Sequence, residues 1–406
     1  MVDPSIVRVI HGTDDPHNGG AGRAAQRIAE AVGQVGVVPS MISSAERMTL
    51  GKFGERTLSR WQGSRPGSFR SSGLVPGHAA RQIKGRDPDL VHLHWVGRGF
   101  LSSRQIGRID VPVIWTLHDM WPFCATEHYA DTSCDAGWRT GYRSPKTVSQ
   151  GWSRLVWAAK KSAWRGNFTF VSPSRWLANL KEQSALLPDA RVEVIPNPVP
   201  VETFHDADRI AARRELGIPG EGPVVGFVAD EGHRNPLKGF DDLVQAFHLL
   251  HSAYRSVRLL LVGRTTPATP EILIPYLATG QLRDDRRLAA AYAACDVVCV
   301  PSLVDNAPQT AIEASATGRP VVAYASGGIP ELVDDGTTGL LARTGDVQGL
   351  AHALATLIEK PSFAERLGRA GRARALREWN PTTIGERYRD LYLEILHTAG
   401  AAADRN

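Results

Sequence analysis

Short β-branched runs alternate along the chain with longer stretches whose apolar positions recur every three or four residues. In the first half, "SIVRVIHG", "DLVHLHW", "VPVIWTLHD" and "NFTFVSPS" predict strands. Between and after them, "GGAGRAAQRIAEAVGQVG" predicts a loop opening a helix, and "RWLANLKEQS" a further helix. "RVEVIPNPVPVETF" reads as a strand running into a proline-rich linker. The rhythm then restarts. "GPVVGFVAD", "VRLLLVGR", "DVVCVPS" and "RPVVAYAS" predict strands, and "FDDLVQAFHLLHSA", "DDRRLAAAYAAC" and "PQTAIEASATG" predict helices. Alternation of this kind implies parallel βαβ units. The expected architecture is α/β: a Rossmann-like domain over 1–198, a second over 199–378, and a final helix within 379–406 packing back across the two. Two doubly wound sheets are expected to face a cleft at the C-terminal ends of their strands, so chemistry is expected just after strands.

At 406 residues the chain exceeds one ordinary core, which agrees with two domains. No apolar run approaches the roughly 18 residues that span a bilayer, and "MVDPSIVRVIHG" lacks a signal-peptide layout. A cytoplasmic location is the expectation. Four cysteines, none in a C-x-x-C pair, argue for reduced thiols rather than a disulfide scaffold. The net charge of +5 suits an anionic ligand, but the cations are scattered, which speaks against nucleic acid. "GWSRLVWAAKKSAWRG", 151–166, is the exception. It would suit peripheral contact with an anionic membrane, but we read its tryptophans as packed on the domain and its cations as solvated.

Several residues fall where chemistry is expected. Gly19, Gly20 and Gly22 follow the first strand, where glycine lets backbone approach a ligand closely and the following helix N-terminus favours anions. The pattern lacks both the dinucleotide spacing and the Lys-Ser/Thr of a Walker loop, so hydride transfer and nucleotide hydrolysis lose ground. His118 and Asp119 end "VIWTLHD", and a histidine there can orient or deprotonate a group. His92 and His94 are read as pointing to opposite faces of their strand, leaving at most one toward the cleft. Lys238, beside Gly239 at a helix entrance, is a seat for a diphosphate. Asp305 and Glu313 flank another helix start, with Pro308 expected at the first helical position. Side chains in helices lean toward the N-terminus, so Glu313 can reach back toward a ligand that Asp305 meets from the loop. The N–H groups of Asn306, Ala307, Gln309 and Thr310 would face the same ligand. A nucleotide sugar, with phosphates between hydroxyl-bearing ends, has that layout.

Taken together, "NGGAGRAA", "VHLHW", "TLHDMWPF", "VSPSRWL", "VIPNPV", "KGFDDLVQAF", "LAAAYAACDVVCVPS" and "DNAPQTAIEASATGRPVVAYASGGIPELV" resemble the retaining, nucleotide-sugar-dependent glycosyltransferases of the GT-B fold, family 4-like. The "HLHW" and "HDMWPF" pair looks most like enzymes of cell-surface polysaccharide synthesis. The resemblance implies that Glu313 holds the ribose hydroxyls and Asp305 the donor-sugar hydroxyls. It implies that Lys238 neutralises the diphosphate, that His118 lies near the transferring sugar, and that Gly19 and Gly20 lie near phosphate and acceptor. Gly280 and Leu282, in "ATGQL", fall where the nucleobase meets backbone. Two departures stand out. Asp305 replaces the family's glutamate and is one methylene, roughly 1.5 Å, shorter. Ala229 and Asp230 stand where an arginine is common, a role Arg234 would assume.

The implied activity is metal-independent hexosyl transfer, with retention, from a UDP-, GDP- or ADP-sugar to a hydroxyl acceptor, a lipid-linked saccharide among the candidates. No cofactor or metal is expected. "DPD" at 87–89 resembles a metal-binding Asp-x-Asp but directly precedes a strand and reads as a turn. The competing readings are a sugar-nucleotide epimerase or phosphorylase on the same fold, and a non-catalytic GT-B partner subunit.

Overall fold

The structure is a computed structural model that describes residues 7–16, 19–44, 50–61, 70–143, 148–165, 168–219, 222–230, 232, 235–264 and 275–403. The chain divides into two compact units, Met1–Asn197 with Thr382–Asn406, and Pro198–Pro381.

The first unit is built on six parallel strands, β1 (Arg8–Gly12), β2 (Val38–Ile42), β3 (Leu90–Leu93), β4 (Val113–Thr116), β5 (Phe168–Ser172) and β6 (Val192–Val194). Their order is β2-β1-β3-β4-β5-β6. β3 and β4 are buried at every residue, because helices cover both faces of a parallel sheet. On one face Val9, Leu90, Ile114 and Val171 pack with Ile384, Tyr388, Leu391 and Tyr392 of the helix Pro381–Ala403. Those four positions form a single helical stripe. The sequence leads one to expect this helix to pack across both halves; its buried stripe lies in the core of the first unit.

On the other face Trp115, Trp121, Phe170 and Trp164 form an aromatic cluster. The helix Val148–Ala163 docks there, with Trp157 and, just beyond its end, Trp164 buried, as its packing reading requires. The expectation that its cations stay in water fails at Lys160. This ammonium is fully buried, 3.6 Å from the Trp121 ring centroid, and donates to the carbonyls of Trp121 (2.6 Å) and Cys124 (2.9 Å). Burial pushes it down to about 7, against the nearby Glu127 and Asp119 charges. Asp89 of the "DPD" turn is bound by Arg8, through its backbone amide and guanidinium.

The second unit repeats the plan with β7 (Val224–Val228), β8 (Arg258–Val262), β9 (Tyr276–Gly280), β10 (Val297–Val300), β11 (Val321–Tyr324) and β12 (Gly339–Ala342), all parallel. Their order is β12-β11-β10-β7-β8-β9. Each sheet has one place where the order reverses, between β1 and β3 in the first and between β7 and β10 in the second. A ligand crevice is expected beyond the strand ends at such a point. Among the described residues no helix is long and apolar enough to cross a membrane.

Candidate active site

In the second unit, Lys238 lies on the segment that follows β7, and Asp305 and Glu313 lie on the segment that follows β10. The turn Pro236–Lys238 is capped by Asn235, whose side chain accepts from the Leu237 amide. Gly239 follows with φ +68°, and a Cβ there would lie 1.8 Å from the Pro301 carbonyl oxygen. Only glycine lets the turn lie this close to the end of β10. The Leu303 amide then donates to the Leu237 carbonyl at 2.8 Å, tying the two loops together. The consequence is a contact the sequence did not announce: Lys238 Nζ lies 2.6 Å from Asp305 Oδ2. Asp305 is also held by its carbonyl, which accepts from the Gly328 amide.

The helix Gln309–Ala316 begins one residue later than expected, with Pro308 as its cap rather than its first residue. Glu313 is buried one turn inside, where Tyr292 donates to its Oε2 at 2.7 Å. Thr310 uses its hydroxyl to hold the helix to the Val228 carbonyl at the end of β7. Asn306 and Gln309 are buried beside it, and Ala307 packs on the core. Gly280 closes β9 at φ +71°, and its carbonyl already accepts from the Gly263 amide. The Leu282 side chain belongs to the hydrophobic core, so a base contact there would have to come from backbone.

Arg234 lies outside the described residues. Among the described residues, Arg264, two residues past β8, makes a bidentate pair with Asp230, two residues past β7, at 2.9 and 2.6 Å. Burial alone would raise Asp230, but the hydrogen bonds from Arg264 outweigh it and hold the carboxyl below its usual range. Sequence reasoning registered Asp230 only as a missing arginine and passed over Arg264, which follows its strand by the same two-residue offset.

In the first unit, Gly19 opens the helix Gly19–Gly33 at φ +74°, and both it and Gly20 are exposed. The tight approach belongs instead to Gly22, where a Cβ would lie 1.9 Å from the Asp15 carbonyl oxygen. His118 is half-buried just past β4 and contacts His94, which contacts His11 of β1. Burial pushes His118 down to about 4, so near neutral pH it is an uncharged imidazole rather than a group poised at its midpoint. The reading that His92 and His94 face opposite sides is wrong: their rings stack with centroids 4.2 Å apart. Residues two apart on a pleated strand share a face.

Asp119 faces the other way from His118. It accepts from the Trp121 amide, the Trp95 indole and His128 Nδ1, the last at 2.6 Å. Burial raises its carboxyl, but these partners outweigh that and hold it low. His128 Nε2 in turn lies 2.9 Å from Ser71 Oγ. The Asp-His-Ser order is that of a hydrolase triad, but Ser71 is buried and its amide is committed to the Thr126 carbonyl. The network fixes the loop that carries His118.

Residues 18–203 match the family model described as Glycosyltransferase Family 4, and residues 222–360 the model described as Glycosyl transferases group 1. The D-inositol 3-phosphate glycosyltransferase of Saccharomonospora viridis is 31% identical over 334 residues, covering 77% of this chain and 71% of that protein. The chain belongs to glycosyltransferase family 4. The D-inositol 3-phosphate glycosyltransferase of Segniliparus rotundus is 35% identical over 315 residues, 73% of this family 4 chain. The match spans 64% of that relative, less than two thirds of its length. Among solved structures, Anabaena HepE in complex with UDP-glucose superposes with a TM-score of 0.65 at 18% identity, covering 97% of this chain and 99% of that one. At that identity the likeness shows the fold, which is GT-B.

Proposed function

We propose that the protein transfers a sugar from a nucleoside-diphosphate sugar to a hydroxyl acceptor with retention of configuration. The observation that carries this reading is the Lys238–Asp305 pair beside buried Glu313, set at the switch point of the second sheet around the start of the helix Gln309–Ala316. A cation and a row of helix amides suit a diphosphate. A buried carboxylate a turn away suits the hydroxyls of a ribose.

In the proposed step the bond between the anomeric carbon and the diphosphate breaks, and its electron pair goes to the phosphate oxygen. The acceptor oxygen bonds to the same face of that carbon, and its proton passes to the departing phosphate oxygen. The products are the glycoside and the free nucleoside diphosphate. Charge develops on the leaving group, where Lys238 and the helix N–H groups act, each well-placed donor lowering the barrier by about 3 kcal/mol. Asp305, one methylene short for a sugar contact, is assigned instead to holding Lys238 until the diphosphate arrives. Arg264 is a second candidate cation for the phosphates, and the neutral His118 a hydrogen-bonding group for a sugar or acceptor oxygen.

The bound UDP-glucose of HepE makes UDP-glucose the first donor to test, and the relatives' names add a polyol phosphate to the saccharide acceptors. A role in cell-surface polysaccharide or glycoconjugate synthesis is part of the proposal. The test is a panel of UDP-, GDP- and ADP-sugars, scored by thermal stabilisation and by nucleoside-diphosphate release with and without acceptor. One donor should raise the melting temperature and release nucleotide, and the anomeric proton of its glycoside should report retention. A panel in which no donor stabilises or turns over overturns the reading.

A further inference from the structure

Three histidines from three neighbouring strands form one line in the first unit. His11 lies in β1, His94 directly after β3, and His118 two residues after β4, and β1, β3 and β4 are adjacent in the sheet. His11 Nδ1 lies 3.1 Å from His94 Nε2, and His94 Nδ1 lies 3.3 Å from His118 Nε2. The ring planes along this line are inclined by only 16° and 27°. Near-coplanar rings at these separations can form in-plane N–H···N hydrogen bonds.

A buried neutral imidazole has one N–H and one lone pair, so the two bonds must run in the same sense. In one sense His118 donates inward and His11 is left with an N–H on Nε2. In the other, His11 donates outward, His94 passes the pattern on, and His118 carries its hydrogen on Nδ1. Among the described residues His11 Nε2 is buried without a partner. A stranded buried N–H is rarer than a stranded acceptor, which selects the outward sense.

We propose that His94 and His11 are positioning residues that hold His118 as the Nδ1–H tautomer, so that its outer nitrogen presents a hydrogen-bond donor to an oxygen of the sugar or acceptor. The assignment of that oxygen rests on the transfer reading above; the tautomer does not. His118 then acts as a fixed neutral donor and not as a base, since its only lone pair is spent on His94.

The same cluster also invites a metal, because ligand atoms of His11, His92 and His94 lie within 4.8 Å of one another. All of these nitrogens but His11 Nε2 are already employed, however. His92 uses Nδ1 on the Tyr392 hydroxyl and Nε2 on Thr116 Oγ1, both at 2.7 Å, and both nitrogens of His94 face other imidazoles. A metal ion held by one nitrogen from each residue would have to displace a bond at His92 and another at His94.

The test reads tautomers directly in the full chain, labelled with 15N-histidine, by long-range 15N–1H correlation at pH 7. His118 is assigned from the signal lost in His118→Asn. We expect hydrogen on Nδ1 and a bare Nε2. In His94→Phe the restraint goes, and the Nε2–H form should appear, with kcat lowered about tenfold and donor KM within about threefold. His94→Gln, whose amide can accept from His11 and donate to His118, should recover both readouts. Hydrogen on Nε2 of His118 in the wild type overturns the proposal, as does one equivalent of Zn2+ binding and shifting the His11, His92 and His94 signals. Should His118→Asn transfer sugar at the wild-type rate, the role in transfer falls while the tautomer stands on the spectra alone.

Discussion

The contact between Lys238 and Asp305 separates two roles for the shortened acid, and a double-mutant cycle decides between them. The pair is partly solvated, with side-chain exposures of 36% for Lys238 and 11% for Asp305. Screening at such a site limits its contribution to stability to about 1 kcal/mol or less. In a unit of this size that is roughly 2–4 °C of melting temperature, so Lys238→Ala should remain folded. Its effect on turnover should be far larger. Removing a donor aimed at the leaving charge costs about 3 kcal/mol, or about 10²–10³-fold in kcat. Asp305→Ala removes only a support for the lysine and should cost on the order of 1 kcal/mol, about fivefold. If Asp305 acts through Lys238 alone, the double variant should be no slower than Lys238→Ala. The assay is nucleoside-diphosphate release under saturating donor, with melting temperatures of all four proteins alongside. Fully additive losses would show that Asp305 touches the sugar independently. Near-wild-type kcat in Lys238→Ala would remove the lysine from the leaving-group role.

Other consequences are open to measurement. Glu313→Gln keeps the shape of a buried side chain that accepts from Tyr292 but removes its charge; donor KM should rise about tenfold in titrations with nucleotide sugar, and an unchanged KM would detach Glu313 from the donor. Because burial holds His118 near 4, a kcat/KM profile between pH 5.5 and 8 should show no inflection that disappears in a His118 variant, and finding one would contradict its neutral role. Lys160→Met leaves the Trp121 and Cys124 carbonyls without their donor and should lower the unfolding free energy at pH 7 by about 1–3 kcal/mol. Between about pH 7 and 10.5 the unfolded wild type binds a proton that the folded lysine has lost. Wild-type stability should therefore rise with pH relative to Lys160→Met over that window. Parallel pH curves for the two proteins in chemical denaturation would show that burial does not depress this lysine.

What the sequence made legible follows from where each element sits. β10 and β11 are buried at every residue and read as unbroken apolar runs, and the equally buried β3 and β4 are interrupted only by His92 and Thr116. The strands that went unread, β2, β9 and β12, are all edge strands. β2 carries Pro39 and an exposed Val38, and β9 has no fully buried residue, so neither has a pattern to find. The candidate site divides in the same way. Position relative to a strand is local information, and it places Lys238, Asp305 and His118 in segments that follow strands and Glu313 inside the helix after one. Partnership is not local. Lys238 meets Asp305 because Gly239 lies against Pro301 and Leu303 bonds Leu237, contacts that exist only once β7 and β10 are neighbours. The histidine line depends on strand order even more directly. His11, His94 and His118 stand 83 and then 24 residues apart, and only the order β1-β3-β4 brings them within hydrogen-bond reach. Had β2 been inserted between β1 and β3, two strand spacings, about 9.5 Å, would have separated His11 from His94. The chemistry of His118 is therefore set by topology, through a neighbour that its own strand does not contain.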